Sequence, residues 1–498
     1  MRPRVRIQVS PTSPRCGAAA LGLFLLAAPS CTVGPKAPPE TAAPAADALL
    51  EPGDASVRTD AQPEVRWWES LGDPVLNDLV ARADAGNQSL AAASANVRAA
   101  YAGLGVAEAA LWPTVGLGAQ YSRTKTNIAQ LAAAGVKVDP YSTYAWGVGG
   151  SSWEIDLWGG VRRQVESAAA SAESQVDVLR DALVSVRGQV AASYVQLRTL
   201  QEQQRVLVAN RDALAKTRDL VQARFAAGTT NRLDLERAQA ELDSVDAQIP
   251  EVAAGVASTK AMLAVLCGMQ PAEIAPLVAE ARAIPEAPDV AGIGLPAQLL
   301  ERRPDVRGAW QRLLAATAAI GAAEAKRLPT VTLSGEFYIA SNDLAGLGQI
   351  ENRAYSIGPS LYLPLFTGGQ IENAVRQQRA TAEAALAQYR DAVLTAVGDV
   401  SAAVTDFMHA RETRTRTEAA LASARLSLVL AQQQFDAGVT DYSTLIDVQR
   451  ATLDAENGAV EARAGLVQGF ISLERALGAG WSESEQIVSA AKTKEEVR

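Results

Sequence analysis

Two long stretches of the chain repeat their apolar residues at a period close to 3.5. Residues 161–225 and 370–435 each contain no proline and a single glycine, so almost nothing in them interrupts a helix. A period of 3.5 is typical of helices that pack as coiled coils. The pattern therefore predicts two helices, each about 100 Å long at 1.5 Å per residue.

The second stretch repeats the first at a distance of 210 residues. The apolar positions Val176, Leu179, Leu183, Val190, Tyr194 and Leu197 return as Leu386, Tyr389, Val393, Val400, Val404 and Phe407. The shorter helices upstream repeat at shifts of 209 and 216 residues, which differ by one heptad and so keep the same buried face. The pattern indicates a structural duplication.

Each repeat also contains two segments in which apolar residues alternate with small or polar ones. The alternating residues include Val115, Leu117, Ala119 and Tyr121 in the first repeat and Val331, Leu333, Phe337 and Ile339 in the second. A period of two with glycine and proline at the margins predicts strands. We therefore expect a β-hairpin in 113–158 and another in 329–366.

Four strands cannot close a barrel, because about eight is the smallest number that does. In lipid, an open sheet edge leaves backbone N–H and C=O groups without partners. No segment after residue 30 has eighteen consecutive apolar residues, so a membrane crossing would have to use these strands. Further copies of the chain would then complete the sheet. This geometry allows an eight-stranded dimer or a twelve-stranded trimer.

The order of these patterns predicts the domain organisation. The predicted segments are a signal peptide (1–30), an extended leader (31–72), a first repeat (73–269) with its helical turn at 225–231, a connector (270–304), a second repeat (305–481) with its turn at 435–441, and a loose tail (482–498).

The first thirty residues indicate export. They carry four arginines and no acidic residue, followed by an apolar run of about a dozen residues, which is too short to span a bilayer as a helix. Cys31 follows this run directly, in the position where bacterial lipoproteins are cleaved and acylated. We expect a covalent N-terminal lipid on Cys31. The alternative is ordinary cleavage nearby, with an incidental thiol.

Composition and charge argue against nucleic acid and against an enzyme. Loss of the four signal arginines lowers the net charge from −9 by four, to −13, and the chain has no clustered basic patch. The only histidine, His409, is expected to be solvated or packed on a long helix. The sequence contains no metal-ligand spacing, phosphate loop or hydrolase elbow, so we expect no cofactor apart from the lipid.

The two helical turns have the same local design. Phe225 begins FAAGTTNRLDL and Phe435 begins FDAGVTDYSTL, 210 residues later. Gly228 and Gly438 can each take the left-handed conformation that ends a helix. Asn231 and Asp441 can then cap the helix that follows.

Several segments resemble a known family. They are Cys31-Thr-Val-Gly-Pro, LPAQLLERRPDVRGAWQRLLAATAAIGAAEAKRLPTVTLSG from Leu295, LYLPLFTGGQIENAV from Leu361, and FDAGVTDYSTLIDVQRATLDAEN from Phe435. They are similar to the outer-membrane efflux factors, the TolC/OprM-like lipoproteins of the NodT type. The resemblance covers nearly the whole chain after residue 30.

The resemblance implies a mainly helical protein with a membrane β part. It implies a homotrimer with one twelve-stranded barrel in the outer membrane of a Gram-negative bacterium and a tunnel of twelve helices in the periplasm. It also implies a periplasmic adaptor and an inner-membrane transporter of the RND, ABC or MFS type as partners. Lipid surrounds the barrel, and no enzymatic activity is expected.

The resemblance also implies a gate at the helical turns. Asp447 takes the position of the constricting aspartate and Arg450 the basic position one turn later. Asp234 matches an aspartate of the first turn that ties neighbouring helices, and Arg237 and Arg232 are further candidate partners.

Two residues depart from the family pattern at the second turn. Ser443 replaces a leucine of OprM-type members, and Thr444 replaces a second aspartate of TolC-type members. We therefore expect a less hydrophobic entrance with fewer acidic rings. The simpler interpretation of all these charges is an ordinary solvated helix end.

The function expected from these patterns is a passive exit duct for small toxic compounds. A duct for type I protein or peptide secretion is the alternative within the family. A periplasmic coiled-coil scaffold or adaptor outside the membrane would explain the helices but not the strand hairpins.

Overall fold

The structure is a computed structural model that describes residues 32–38, 57–58, 64–125, 139–288, 291–292 and 302–483. The predicted signal peptide, Cys31, most of the leader and tail residues 484–498 lie outside these ranges. The chain divides into two units. One contains Gly103–Ala169 and Leu314–Glu383 with the described residues 32–38, and the other contains Ala170–Leu313, Ala384–Arg498 and residues 39–102. Each unit draws on both predicted repeats.

The longer elements follow the duplicated order. The first half contains helices α1 (Pro74–Gly86) and α2 (Gln88–Ala109), strands β1 (Val115–Thr124) and β2 (Tyr141–Ile155), and helices α3 (Gly160–Ala226) and α4 (Arg232–Leu266). The second half contains α5 (Pro304–Ala325), β3 (Thr330–Ser341), β4 (Arg353–Tyr362), α6 (Gln370–Asp436) and α7 (Tyr442–Ala476). Helices α3 and α6 have 67 residues each, and α4 and α7 have 35 each.

Short elements complete the described part of the chain. They are the 3₁₀ turns Trp67–Leu71, Ala345–Gly348 and Ile350–Asn352, the helical turn Pro271–Ile274, and the strands Val57–Arg58 and Ala291–Gly292, which pair in parallel.

The first unit contains one antiparallel sheet in the order β1-β2-β3-β4. The pairing of β2 with β3 joins the hairpins of the two repeats, with Trp146 opposite Ile339 and Val148 opposite Phe337. Strands β1 and β4 form the two edges, and neither edge pairs with another strand in the described part of the chain.

One face of this sheet is apolar and exposed. Val115 and Leu117 of β1 are 72% and 74% exposed. The register places Leu117 beside Val148, and further along the same face Phe337 lies beside Tyr355. The opposite face carries small or polar residues, including Gly116, Gly118, Gln120, Gly147 and Glu336. An exposed apolar face of this size is characteristic of a surface that contacts lipid or protein.

The start of the described chain is held tightly within the first unit. The Val33 N–H donates to the Trp158 carbonyl over 3.2 Å, and Arg163 donates to the carbonyls of Val33 and Pro35 over 3.4 and 3.0 Å. Gly34 has a φ of +92°, and a Cβ there would lie 2.5 Å from the Cα of Gly321. This close backbone approach requires glycine.

The second unit buries the predicted heptad positions. Val176, Leu179, Leu183, Val190, Tyr194 and Leu197 of α3 are all fully buried. Of their counterparts on α6, Val393, Val400, Val404 and Phe407 are buried, whereas Leu386 and Tyr389 are half-buried. Trp67 and Trp68 extend the core, with the Trp67 ring 6.1 Å from that of Phe470.

By length and composition, α4 is the one helix in the described ranges that could cross a membrane. An 18-residue window has a mean hydropathy of 1.4, and 17% of that window is buried. The helix nevertheless contains Glu251 and Lys260, and its residues Leu263 and Ala264 are fully buried in the core of the second unit. Its packing identifies it as part of a helical hairpin.

We predict that Gly34→Ala releases residues 32–38 from their contacts with Trp158, Arg163 and Gly321. The positive φ costs about 1–3 kcal/mol for a residue with a Cβ, and the Cβ would also collide with Gly321. Trypsin should then cleave the purified protein faster after Lys36. Gly72→Ala is the matched control, because Gly72 has a φ of +68° but open space around its Cα. Unchanged cleavage after Lys36 in Gly34→Ala would contradict the docking described above.

Candidate functional site

The two turns between the long helices, which we call the first tip (225–231) and the second tip (435–441), have the same backbone. Gly228 and Gly438 have φ values of +73° and +69°. Thr229 N donates to the Arg224 carbonyl and Val439 N to the Gln434 carbonyl, each over 2.9 Å. This bond closes the end of a helix on a left-handed glycine.

Side chains cap the helices that start after the tips. The Asn231 side chain accepts a 2.9 Å hydrogen bond from the Asp234 N–H, and Asp441 accepts one of the same length from Thr444. The hydroxyls of Thr444 and Ser443 also donate to Asp441, over 2.8 and 2.9 Å. These bonds, led by the backbone bond from Thr444, hold the pKa of Asp441 below its usual value.

Three of the predicted gate residues form hydrogen bonds within their own tip or at the start of the helix that follows it. Ser443 and Thr444 donate hydrogen bonds at the start of α7. Asp234 accepts a 2.7 Å hydrogen bond from the Thr230 hydroxyl within the first tip. The structure places all three at helix N-termini, where Asn231 and Asp441 accept the hydrogen bonds of the exposed backbone N–H groups.

The tips differ in their surroundings. Phe435 is 3% exposed, whereas Phe225 is 40% exposed. The Phe435 ring lies 6.0 Å from the Tyr442 ring, and the Arg224 guanidinium lies 4.3 Å from the Phe435 centroid. Arg224 also donates to the Phe435 carbonyl over 3.0 Å. The second tip is therefore packed and tied to the end of α3.

Helix α7 lies against both helices of the first hairpin. Its Gln449 donates to the Thr217 hydroxyl of α3 over 3.4 Å, and its Arg450 bonds Glu241 of α4. Val221 and Ala238 of the first hairpin pack with a group of second-hairpin residues that consists of Ala431, Phe435, Tyr442, Leu445 and Ile446. We call this contact the internal seam.

Arg450 pairs with Glu241 across this seam. The Arg450 Nε lies 2.8 Å from a Glu241 carboxylate oxygen, and Glu241 is only 8% exposed. The hydrogen bond to Glu241, and secondarily the charges of Glu241 and Asp447, raise the pKa of Arg450. Sequence reasoning missed Glu241. Its position one heptad after Asp234 was the available signal, because that spacing keeps both on one helix face.

The other predicted gate charges form no ion pair with one another in the described part of the chain. Arg232 pairs with Glu236 of its own helix over 3.2 Å. Asp447 and Arg237 are exposed, and neither has a hydrogen bond or ion pair to the described residues. The structure therefore does not join Asp447 to Arg450, Arg237 or Arg232 by a direct contact within one copy.

No metal-binding group of three or more His, Cys, Asp or Glu residues is present within the described ranges. His409 is exposed on α6. Cys267 is buried, with its thiol 3.5 Å from the Leu79 carbonyl, and burial raises the pKa of this thiol to about 11. Such a thiol is chemically inert.

These features define a class of protein. An antiparallel sheet with an exposed apolar face, whose edges have no strand partner in the described residues, is suited to a membrane. Long helical hairpins that end in capped tips can line a tunnel or bind a partner protein at their ends. Their combination in one duplicated chain is that of an outer-membrane channel.

The comparisons identify the family. The sequence profile described as "Outer membrane efflux protein" matches residues 79–269 and 295–479, so the chain belongs to the outer membrane efflux protein family. The pyoverdine export outer membrane protein OpmQ of Pseudomonas aeruginosa is 30% identical over 457 residues, which cover 90% of this chain and 94% of that protein.

Solved structures give the same result. The outer-membrane channel OprN superposes with a TM-score of 0.83 at 32% identity, over 91% of this chain and 100% of that chain. The Campylobacter jejuni CmeC outer membrane channel superposes at 0.86 over 93% and 98%, and at 21% identity it shows the fold alone. The resemblance found in the sequence is confirmed. The protein is an efflux channel of the Gram-negative outer membrane.

We predict that Arg450→Ala loosens the internal seam more than Glu241→Gln does. Removal of the arginine leaves a buried carboxylate without its partner, which costs about 1–3 kcal/mol. Removal of the carboxylate charge leaves an arginine whose side chain is 56% exposed and can be solvated by water. Hydrogen exchange of the amides in 238–245 should therefore be fastest in Arg450→Ala.

The double variant Glu241→Gln/Arg450→Ala is the control for this ion pair. It should exchange more slowly than Arg450→Ala alone, because no unpaired charge remains buried. Equal exchange in both single variants would show that the pair does not hold the seam.

Proposed function

We propose that three copies of this chain form a passive duct that exports small toxic compounds across the periplasm and the outer membrane. The observation that carries this proposal is the four-stranded sheet, which has one apolar face and two edges without a strand partner in the described chain. Backbone groups at a lipid-exposed edge need partners, and a further copy of the same sheet supplies them.

The number of copies follows from the width that a duct requires. A barrel of about eight strands is filled by its own side chains, so two copies would leave little room for a solute. Three copies give twelve strands and a wider interior. Gly116, Gly118 and Gln120 of β1 would line this interior, because they lie on the face opposite the apolar one.

The same copy number turns the hairpins into a tunnel. Each chain contributes α3, α4, α6 and α7, so three chains contribute twelve helices. Exposed apolar residues on these helices, such as Leu426, Leu430 and Val265, are then covered by neighbouring copies. Burial of such surface contributes about 25 cal/mol per Å².

The energy for transport comes from a partner in this proposal. The chain offers no nucleotide-binding loop. An inner-membrane transporter of the RND, ABC or MFS type would drive export, and a periplasmic adaptor would connect it to the tips. The export of pyoverdine named for the OpmQ relative favours small molecules over proteins or peptides as cargo. The exposed apolar sheet face disfavours a scaffold that stays outside the membrane.

The tips form the gate in this proposal. Closure rests on the capped turns, the internal seam and the charges around the axis, including Asp447. Opening is a population shift, in which the adaptor or transporter binds the splayed arrangement of tips more tightly than the closed one.

We predict that Asp447→Ala/Arg450→Ala raises the single-channel conductance of the purified protein in planar bilayers. The double change removes the Glu241–Arg450 pair and the charge of Asp447, both of which restrain the tips. Arg416→Ala is the control, because Arg416 pairs with Glu412 on the exposed face of α6. Equal conductance of the double variant and the unmodified protein would remove these residues from the gate.

We also propose that Cys31 carries a covalent lipid. Residues 32–38, which follow it directly, are docked by Arg163 beside the junction of β2 and α3. Docking there would hold an acyl chain close to the membrane sheet.

Mass spectrometry of the N-terminal peptide of the exported protein tests the lipid. We expect an acylated peptide that begins at Cys31, and an unmodified, uncleaved precursor in Cys31→Ser. Cleavage at another residue, or a free thiol on Cys31 of the unmodified protein, would exclude lipidation.

A further inference from the structure

The strands β1 to β4 contain four charged residues, and the two faces of the sheet separate them by sign. Glu154 and Glu336 lie on the face that carries small and polar residues. Arg123 and Arg353 lie on the apolar face. Both arginines are exposed, and neither has a hydrogen bond or an ion pair to the described residues. On these strands, the charge of the apolar face is therefore positive only.

Alternation along the edge strands fixes the face of each arginine. Arg123 lies two residues after Tyr121 on β1, and Arg353 lies two residues before Tyr355 on β4. Residues two apart in a strand share a face, and both tyrosines belong to the apolar face. The Tyr121 ring lies 4.9 Å from that of Tyr144 on β2. Because such aromatic residues mark the interface between membrane and water, each arginine lies just beyond that interface.

Both arginines lie at the end of the sheet that is away from the helices. Strand β1 follows α2 and β2 leads into α3, so Val115 and Ile155 mark the helical end of these strands. Arg123 is the last residue but one of β1, and Arg353 is the first residue of β4. With the helices in the periplasm, as proposed above, the arginines face the cell exterior.

The register brings the two arginines to the same depth. Pairing through β2 and β3 places Arg353 in the row of Ala119, four residues before Arg123 on β1. Strand β4 also continues beyond the row of Val115, where β1 begins. Tilted strands need a stagger of this kind to cover the same depth of a membrane. The start of β4 is therefore level with the end of β1.

A second copy of the chain would bring the arginines together. Within one copy they lie on opposite edges of the sheet, three strand spacings or about 14 Å apart. This step rests on the trimer proposed above, in which β4 of one copy pairs with β1 of the next. Arg353 and the Arg123 of the next copy would then lie on adjacent strands, which are about 5 Å apart. Three such arginine pairs would surround the barrel.

We infer that each arginine pair binds the phosphate group of a glycolipid in the outer leaflet, such as lipid A. Two neighbouring guanidinium groups repel each other unless an anion lies between them. Guanidinium groups bind phosphate oxygens in a bidentate manner, and basic clusters beside a membrane bind anionic headgroups. The apolar face that continues from Tyr121 and Tyr355 suits the acyl chains. A free phosphate ion shares the charge but would leave that face uncovered.

Lipid binding to the purified trimer tests this site. The probe is diphosphoryl lipid A, added to the protein in detergent and counted on the trimer by native mass spectrometry. Arg123→Gln/Arg353→Gln should bind lipid A several-fold more weakly than the unmodified protein does. Arg123→Lys/Arg353→Lys should keep most of the binding, because the charge remains. Dephosphorylated lipid A, which has the same acyl chains, should bind weakly to all of them.

Arg376→Gln/Arg416→Gln is the matched control, because it removes the same charge from exposed positions on α6. It should bind lipid A as the unmodified protein does, and excess inorganic phosphate should not displace the lipid.

Three results would overturn the lipid site. They are equal binding of phosphorylated and dephosphorylated lipid A, unchanged binding in Arg123→Gln/Arg353→Gln, and full displacement of lipid A by inorganic phosphate. A conducting trimer with any of these results would overturn this inference alone. An unmodified protein that forms neither a trimer nor a channel would instead overturn the proposed function.

Discussion

The constraint on which this structure depends is the apolar stripe along each long helix. A single helix cannot bury such a stripe, and the stability of a helix this long comes mainly from what its apolar face packs against. Within one chain, α7 lies in the groove between α3 and α4 and covers part of their apolar stripes. Leu426 and Leu430 of α6 remain largely exposed. The same kind of stripe that folds the chain is therefore only partly covered on α6.

The two tips show how a duplicated design becomes specialised. Both end a helix on a left-handed glycine and start the next with a capping side chain. Phe435 is nevertheless buried under Arg224, and its counterpart Phe225 is exposed. The second tip is therefore packed within the chain, whereas the first tip keeps its aromatic side chain exposed.

The sheet imposes a second constraint of the same kind. Its apolar face suits lipid, but the edge strands β1 and β4 carry backbone groups without strand partners in the described chain. Water can satisfy such groups and lipid cannot. Family membership and the match to OprN place this chain among outer-membrane channels. Both the sheet and the helices thus carry apolar surface that the single chain leaves exposed.

The sequence by itself determined the features that depend on neighbouring residues. The period of 3.5, the alternating strands, the glycines that end helices and the caps Asn231 and Asp441 are all local signals, and the duplication can be read from a constant shift. Only the tertiary structure decided the partners of the charges. Glu241 and Arg450 are 209 residues apart, and their pairing depends on which helix lies beside α4. By contrast, the hydroxyls of Ser443 and Thr444 donate to Asp441, which lies only two and three residues away. A charge has a defined role only once packing has placed its neighbours, and a sequence pattern does not specify that placement.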